Sequence, residues 1–268
     1  MTGLKIVVLA KQVPDTHNVS ADAMNADGTV NRAALPTVFN PEDLKALEMA
    51  LNMKERVAGS TVTVITMGPP RAADIIRDAR SRGADDGFVL SDVRFAGADT
   101  LATSYALSRV IAALGKVDVI FCGRQAIDGD TAQVGPQVAE KLDLPQITYA
   151  EELLSVTDRR ITVRRRLERG TEVVEAQLPA LVTVTSAAAD CRYPHAHRLL
   201  RFAGEEVPLR TADDIDADLE RLGMKGSPTK VKKIDNVVLA HKDAQQVEPT
   251  EAALNELVAG LMKDHIIG

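Results

Sequence analysis

The chain has 268 residues, 38 of them acidic and 32 basic, for a formal charge of −6, and it is long enough to bury a full core without staples. Its two cysteines, Cys122 and Cys191, stand far apart with no CxxC pair, which speaks against a disulfide scaffold or a zinc site. Aromatic residues make up only 3% with no Trp, so an acidic chain without stacking platforms is not expected to bind nucleic acid.

The apolar run near the N-terminus, "KIVVLA" at 5–10, is too short for a signal peptide or a membrane span, and a soluble, cytoplasmic protein is expected. Residues 5–10, 61–68, 86–91 and 117–123 are short and almost continuously apolar, as strands buried on both faces are. Helical periodicity separates them. Residues 41–57 place Leu44, Leu47 and Leu51 on one face behind Pro41, Glu42 and Asp43, and 70–83 and 99–115 follow the same logic. The alternation predicts an α/β fold: a doubly wound, mostly parallel sheet with helices on both faces and right-handed crossovers.

After Pro145 the pattern becomes strand upon strand, at 147–157, 160–170, 171–178 and 180–186, with turns near Asp158, Gly170 and Pro179. This predicts a β-hairpin insertion that returns to the main sheet through "ALVTVT". The arginine-rich "RRITVRRRLERG" within it reads as a solvated or subunit-facing strand. From Ala187 on the signal weakens: 186–208 reads as irregular, 211–223 as a short capped helix and 226–234 as an extended linker. A final amphipathic helix carries Leu254, Leu257 and Leu261 as an apolar stripe and forms a C-terminal helical arm.

Two stretches carry candidate chemistry. The first, "FCGRQAIDGDTAQVGP", runs from a strand end into the next helix, which Thr131 is expected to open with Asp130 or Thr131 as its cap. Gly123 and Gly129 let the backbone approach a ligand, and free N–H groups at a helix start attract phosphate. In an open parallel sheet this is where ligands bind. An ordinary capped βα turn remains the bland alternative. The second stretch, "GADTLATS", offers Asp99, Thr100, Thr103 and Ser104 at another strand end, with Thr100 and Thr103 on one helix face. Its bland alternative is an Asp99 or Thr100 cap and a polar helix face. Neither GxGxxG after the first strand nor GxxxxGK[ST] occurs, which disfavours a Rossmann dehydrogenase and a P-loop NTPase. His195 and His197, with only Cys191 near in sequence, make an incomplete metal site.

"KQVPD", "NPEDLKALEMAL", "TMGPP", "GADTLATS", "CGRQAIDGDTAQVGP" and "GSPTKV" occur in this order over nearly the whole chain. Together they resemble the beta subunit of electron-transfer flavoproteins, and among these the electron-bifurcating members. The resemblance implies a fold like the adenine-nucleotide alpha hydrolases, with a nucleotide- or flavin-binding domain over 1–190. Residues 191–268 would then supply a partner-recognition loop and an arm that packs on the alpha subunit.

The resemblance implies that the pocket holds either a structural AMP, in simple electron carriers, or a second FAD, in bifurcating relatives. That second FAD takes hydride from NADH. Its electrons divide between a low-potential acceptor, ferredoxin or flavodoxin, and the alpha-subunit FAD, which serves a flavin-dependent dehydrogenase or quinone-linked oxidoreductase. Thr100 and Thr103 match hydroxyls that contact the flavin in bifurcating relatives, so FAD is favoured. The residues it marks for the ligand are Ala10, Asn40, Thr66, Asp99, Thr100, Thr103, Cys122, Gly123, Arg124, Gln125, Gly129, Asp130, Thr131, Ala132, Gln133, Val134 and Gly135. Arg124 or Arg165 would place charge near the ring; a solvated strand position is the alternative for either, and the favoured one for Arg165.

One departure concerns the partner. Ala196 stands where family members carry an anchoring leucine, and the basic run that follows in them is missing. Leu199, Leu200 or Phe202 would then anchor, or the partner differs from an acyl-CoA dehydrogenase. A universal-stress-type nucleotide-binding regulator shares the fold class, but the extension over 187–268 and an obligate alpha partner would speak against it; an ATP-pyrophosphatase-like enzyme is disfavoured because no SGGxDS loop follows the first strand. No residue is marked as a covalent or acid–base catalyst, since the redox chemistry would belong to the flavin.

Overall fold

A computed structural model describes residues 3–15, 36–157, 159–230 and 246–267. The chain divides into two compact units, 1–231 and 232–268.

The first unit is built on a nine-stranded sheet. Its centre is β1 (Lys5–Ala10), paired in parallel with β4 (Thr61–Met67) on one side and β6 (Val119–Gly123) on the other. Beyond β4 lies β5 (Asp86–Leu90), with the short β11 (Leu209–Arg210) at the edge. Beyond β6 lies β10 (Ala180–Val184), then β7 (Gln146–Thr157), both parallel to their inner neighbours. The antiparallel strands β8 (Arg160–Leu167) and β9 (Gly170–Gln177) complete the predicted hairpin insertion.

Successive residues of β1 bury on opposite faces, and each face has its own core. Ile6 and Val8 join Leu47, Leu51 and Met53 of α1 (Pro41–Arg56) and Ile76 of α2 (Ala73–Arg82). Val7 and Leu9 join Val110 and Ile111 of α3 (Thr100–Ala113) and Val138 and Ala139 of α4 (Val134–Lys141). The fully apolar strands are therefore explained by helices on both faces, and the doubly wound expectation holds. No helix among the described residues is long and apolar enough to cross a membrane.

Several elements differ from the sequence reading. A two-stranded ribbon, β2 (Gln12–Pro14) with β3 (Thr37–Phe39), carries too few residues to show a period. The 211–223 region forms two 3-10 turns, at Ala212–Asp214 and Leu219–Arg221, instead of one helix. Asp216 sits between them at φ 45°, a left-handed residue that breaks helical continuation. The stretch read as irregular after Ala187 contains α5 (Ala196–Phe202). Of the 226–234 linker, residues 231–234 lie outside the described residues. In the second unit, α6 (Glu251–Lys263) begins with the Thr250 hydroxyl accepting the Ala253 N–H at 3.3 Å and carries the Leu254, Leu257 and Leu261 stripe.

Candidate functional site

The carboxyl ends of β1, β4, β5 and β6 open into one crevice, and the first turn of α1 fixes its geometry. Asp43 is buried and uses both oxygens: Oδ2 accepts the Lys11 N–H and Oδ1 the Gly123 N–H, each at 2.8 Å. Glu42 accepts the N–H groups of Gln125 at 3.0 Å and Ser186 at 3.2 Å, and pairs with the Arg124 guanidinium at 3.3 Å. Asn40 donates to the Gln125 carbonyl at 2.9 Å and accepts the Ile127 N–H at 3.2 Å. The "NPED" start of α1 thus clamps the loops after β1 and β6. A Cβ on Gly123 would lie 2.5 Å from Asp43 Oδ1, so the close approach requires glycine. Burial pushes the Asp43 carboxyl up to about 7, against the N–H bonds that work to lower it. Burial also pushes the Cys122 thiol up, far from thiolate reactivity.

Between these walls lies a cavity of about 810 Å³, within the range of small-molecule and cofactor sites. Its two sides differ in character. One is the polar loop between β6 and α4; the other is apolar, with Leu9, Ile65, Met67, Phe95 and Leu107. At the mouth Lys11 reaches across to Asp128 with both carboxylate oxygens at 2.8 Å.

The loop departs from the expected helix start. Thr131 does not open α4, and neither Asp130 nor Thr131 caps it; the helix begins at Val134 after Gln133. Asp130 and Ala132 hold φ of 48° and 53°, and this left-handed backbone keeps the chain out of a helix until Gln133, at φ −102° and ψ −30°. A left-handed Ala132 followed by a right-handed Gln133 is the kind of backbone that can turn successive N–H groups toward one side, next to the unpaired N–H groups of the first turn of α4. Asp130 also takes a hydrogen bond from the Gln125 amide at 2.7 Å. The helix start on which the sequence reading placed a phosphate cradle is thus displaced by three residues, from Thr131 to Val134, behind a left-handed turn.

Facing it is α3. Asp99 caps this helix, with Oδ1 accepting the N–H groups of Leu101 and Ala102 at 3.0 Å. The Thr100 hydroxyl donates to Gln133 Oε1 at 2.8 Å, and buried Ser104 donates to Gln137 Oε1 at 2.9 Å, tying α3 to α4. Thr103, one turn into α3, lines the cavity.

Of the residues marked for the ligand, all line this cavity except Asn40 and Thr66. Asn40 stands behind it as a loop clamp. Thr66 is fully buried on β4 beside Ala10, and its hydroxyl has no partner. Arg124 faces the cavity. Arg165 lies on β8, 3.5 Å from Glu172, and is not among the cavity residues. Of the proposed anchors, all on α5, Leu200 is 81% exposed, whereas Phe202 is buried with the Arg80 guanidinium 4.2 Å above its ring. Phe202 therefore offers no surface; Ala196, Leu199 and Leu200 do. No group of three or more His, Cys, Asp or Glu able to hold a metal occurs among the described residues.

Sequence reasoning missed Glu42, Asp43, Lys11, Asp128 and the apolar wall. Acids after a helix-opening proline look the same whether they complement the dipole or clamp a distant loop. The apolar wall is read as core because its residues, Leu9, Ile65 and Met67 on strands and Phe95 and Leu107 on helical turns, are continuous with the core on that face of the sheet.

Comparison with known proteins now places the chain. Residues 27–213 match the electron transfer flavoprotein domain. The electron transfer flavoprotein subunit beta of Clostridium acetobutylicum is 44% identical over 264 residues, covering 98% of this chain and 100% of that protein. The chain belongs to the electron transfer flavoprotein beta-subunit family. Other relatives include the caffeyl-CoA reductase-Etf complex subunit CarD of Acetobacterium woodii, 42% identical over 85% of this chain and 86% of that protein. Protein FixA of Rhizobium meliloti is 41% identical over 97% of this chain and 90% of that protein. As a member of the family, this beta subunit serves in an electron transfer complex.

Proposed function

We propose that this beta subunit binds FAD in the cavity, and that with its alpha subunit it takes hydride from NADH and divides the electrons. One would go to a low-potential acceptor such as ferredoxin or flavodoxin, the other to the alpha-subunit FAD and on to a flavin-dependent dehydrogenase or quinone-linked oxidoreductase. The observation that carries this reading is the two-sided character of one continuous cavity. Its polar side suits phosphates and its apolar side suits a flat ring system, and an AMP alone, with less than half the atoms of FAD, would leave much of about 810 Å³ unfilled. Bound there, FAD supplies hydride acceptance and one-electron transfer.

The chain's own residues bind and orient. The N–H groups from Ala132 into α4 would hold phosphate oxygens. Thr100 and Thr103 line the cavity from α3, while Leu9, Ile65, Met67, Phe95 and Leu107 would keep water from the apolar side. Arg124, fixed by Glu42, supplies a positive charge at the wall. Residues 191–268 would carry partner recognition, with Leu199 and Leu200 as surface anchors on α5 and α6 as the arm toward the alpha subunit. A cytoplasmic location fits this set of partners.

Counting released nucleotides tests the proposal. The chain is co-expressed with its alpha subunit, the purified heterodimer is denatured, and FAD and AMP are quantified. Two FAD per heterodimer without AMP is the expected result, to be followed by NADH titration. One FAD and one AMP would make the protein a simple carrier and overturn the reading.

A further inference from the structure

Downstream of the last 3-10 turn the chain returns to the cavity. Ser227 is buried; its hydroxyl oxygen accepts the Asp99 N–H at 2.8 Å and its proton goes to the Gly223 carbonyl at 2.7 Å. Two residues on, Thr229 donates twice to Asp99 Oδ2, from its hydroxyl at 2.8 Å and its N–H at 3.2 Å. The other oxygen of Asp99 is already occupied with the α3 cap. One carboxylate therefore serves two elements, and each of its oxygens accepts two hydrogen bonds. Partial burial works to raise the Asp99 carboxyl, but the donors of Ala102, Thr229 and Leu101 outweigh it and hold the group below the ordinary range. A further tie secures the same segment: the Met224 N–H donates to the Ala96 carbonyl at 3.1 Å. The sequence pattern reads this stretch as linker, yet it is hydrogen-bonded to the cap of α3 and Thr229 forms part of the cavity wall. That wall is the one bearing Phe95, Thr100 and Thr103, whereas the N–H groups suited to phosphate come from the α4 side.

We propose that the 227–229 turn is a latch on the α3 wall of the cavity, and that Thr229 is a positioning residue for the ring end of a dinucleotide, with no part in holding its adenylate end. The latch rests on the reading of the cavity as an FAD site. It closes the wall after chain reversal at Gly223 and Gly226, and its strength comes from hydrogen bonds to an ionised acceptor.

The test uses the heterodimer with its alpha subunit, dialysed free of beta-site nucleotide and titrated by calorimetry with FAD and, separately, with AMP. Thr229→Val is nearly isosteric and removes only the hydroxyl bond. It is expected to weaken FAD binding by about threefold to tenfold, the loss of one hydrogen bond, and to leave AMP binding unchanged. Thr229→Ser keeps the hydroxyl and is expected to restore FAD binding. Unchanged FAD affinity in Thr229→Val would overturn the latch, as would equal weakening of FAD and AMP, which would mean general loosening of the fold. A wild-type heterodimer that takes AMP and no FAD would instead overturn the underlying FAD reading, and the latch with it.

Discussion

Two aspartates hold opposite walls of the same cavity, and they resolve the same conflict in opposite directions. Asp43 joins the loops after β1 and β6 through two backbone N–H groups. Asp99 joins the start of α3 to the 227–229 turn through three backbone N–H groups and a hydroxyl. Burial is the largest influence on both and works to raise both. At Asp43, sealed under the strand ends, burial wins and the carboxyl is pushed up to about 7. At Asp99, with water at hand, the donors win and the carboxyl falls below its ordinary range. The sign of each shift is the balance of burial against donors: full burial outweighs two backbone donors at Asp43, and four donors outweigh partial burial at Asp99. One wall is set by a carboxylate held at a cost, the other by a carboxylate stabilised by its neighbours.

The largest test breaks the buried side. Asp43→Ala leaves the Lys11 and Gly123 N–H groups without acceptors, and the expected loss of stability in urea unfolding is about 2–5 kcal/mol. The pH profile sharpens the contrast. Between the ordinary carboxylate value of 3.8 and about 7, folded Asp43 keeps a proton that the unfolded chain releases, so its contribution to stability falls as pH rises through that window. Asp99 behaves oppositely: its contribution is present above the ordinary carboxylate value and is lost as pH falls through its depressed folded pKa. Unfolding free energy measured against pH should lose its decline between those values in Asp43→Asn. A profile identical to wild type would show that Asp43 does not carry the shift.

A smaller test asks whether glycine at the Asp43 wall serves close approach. A Cβ at Gly123 would meet Asp43 Oδ1 at 2.5 Å and the Asp43 nitrogen at 2.8 Å, while one at Gly129 would meet nothing within 4 Å. Gly123→Ala is expected to cost about 1–3 kcal/mol through overpacking. Gly129→Ala should leave the melting temperature near that of wild type. Equal shifts in the two variants would remove the argument that Asp43 sets the spacing of this wall.

How much of this was legible beforehand follows from the same contrast. The four inner strands and their helices were legible because strands buried on both faces must be apolar throughout, and the hairpin insertion because its turns carry Gly170 and Pro179. The Asp99 cap was legible too, since a side chain that bonds two or three residues ahead leaves a local signature. Glu42, Asp43 and Thr229 were not. Their partners are Gln125, Gly123 and Asp99, at separations of 83, 80 and 130 residues, and no local pattern reports contacts of that range. Thr131 was misplaced for a different reason: Asp and Thr before an apolar run look like a cap, and nothing in the letters shows that Ala132 is left-handed.

That residue gives the smallest and most pointed test. Ala132 holds φ 53°, a conformation that costs an L-residue with a Cβ about 1–2 kcal/mol. Replacing it by glycine removes that cost but adds about 0.5–1 kcal/mol of chain entropy lost on folding. The difference predicts that Ala132→Gly stabilises the protein by roughly 0.5 kcal/mol in urea unfolding. If Ala132 instead adopted right-handed backbone, there would be no strain to relieve, and the same substitution would destabilise by the entropy term alone. The sign of a small number therefore reports the backbone curvature on which the proposed phosphate contacts depend. It does so without a ligand, so the geometry of the cradle can be tested separately from the identity of what it holds.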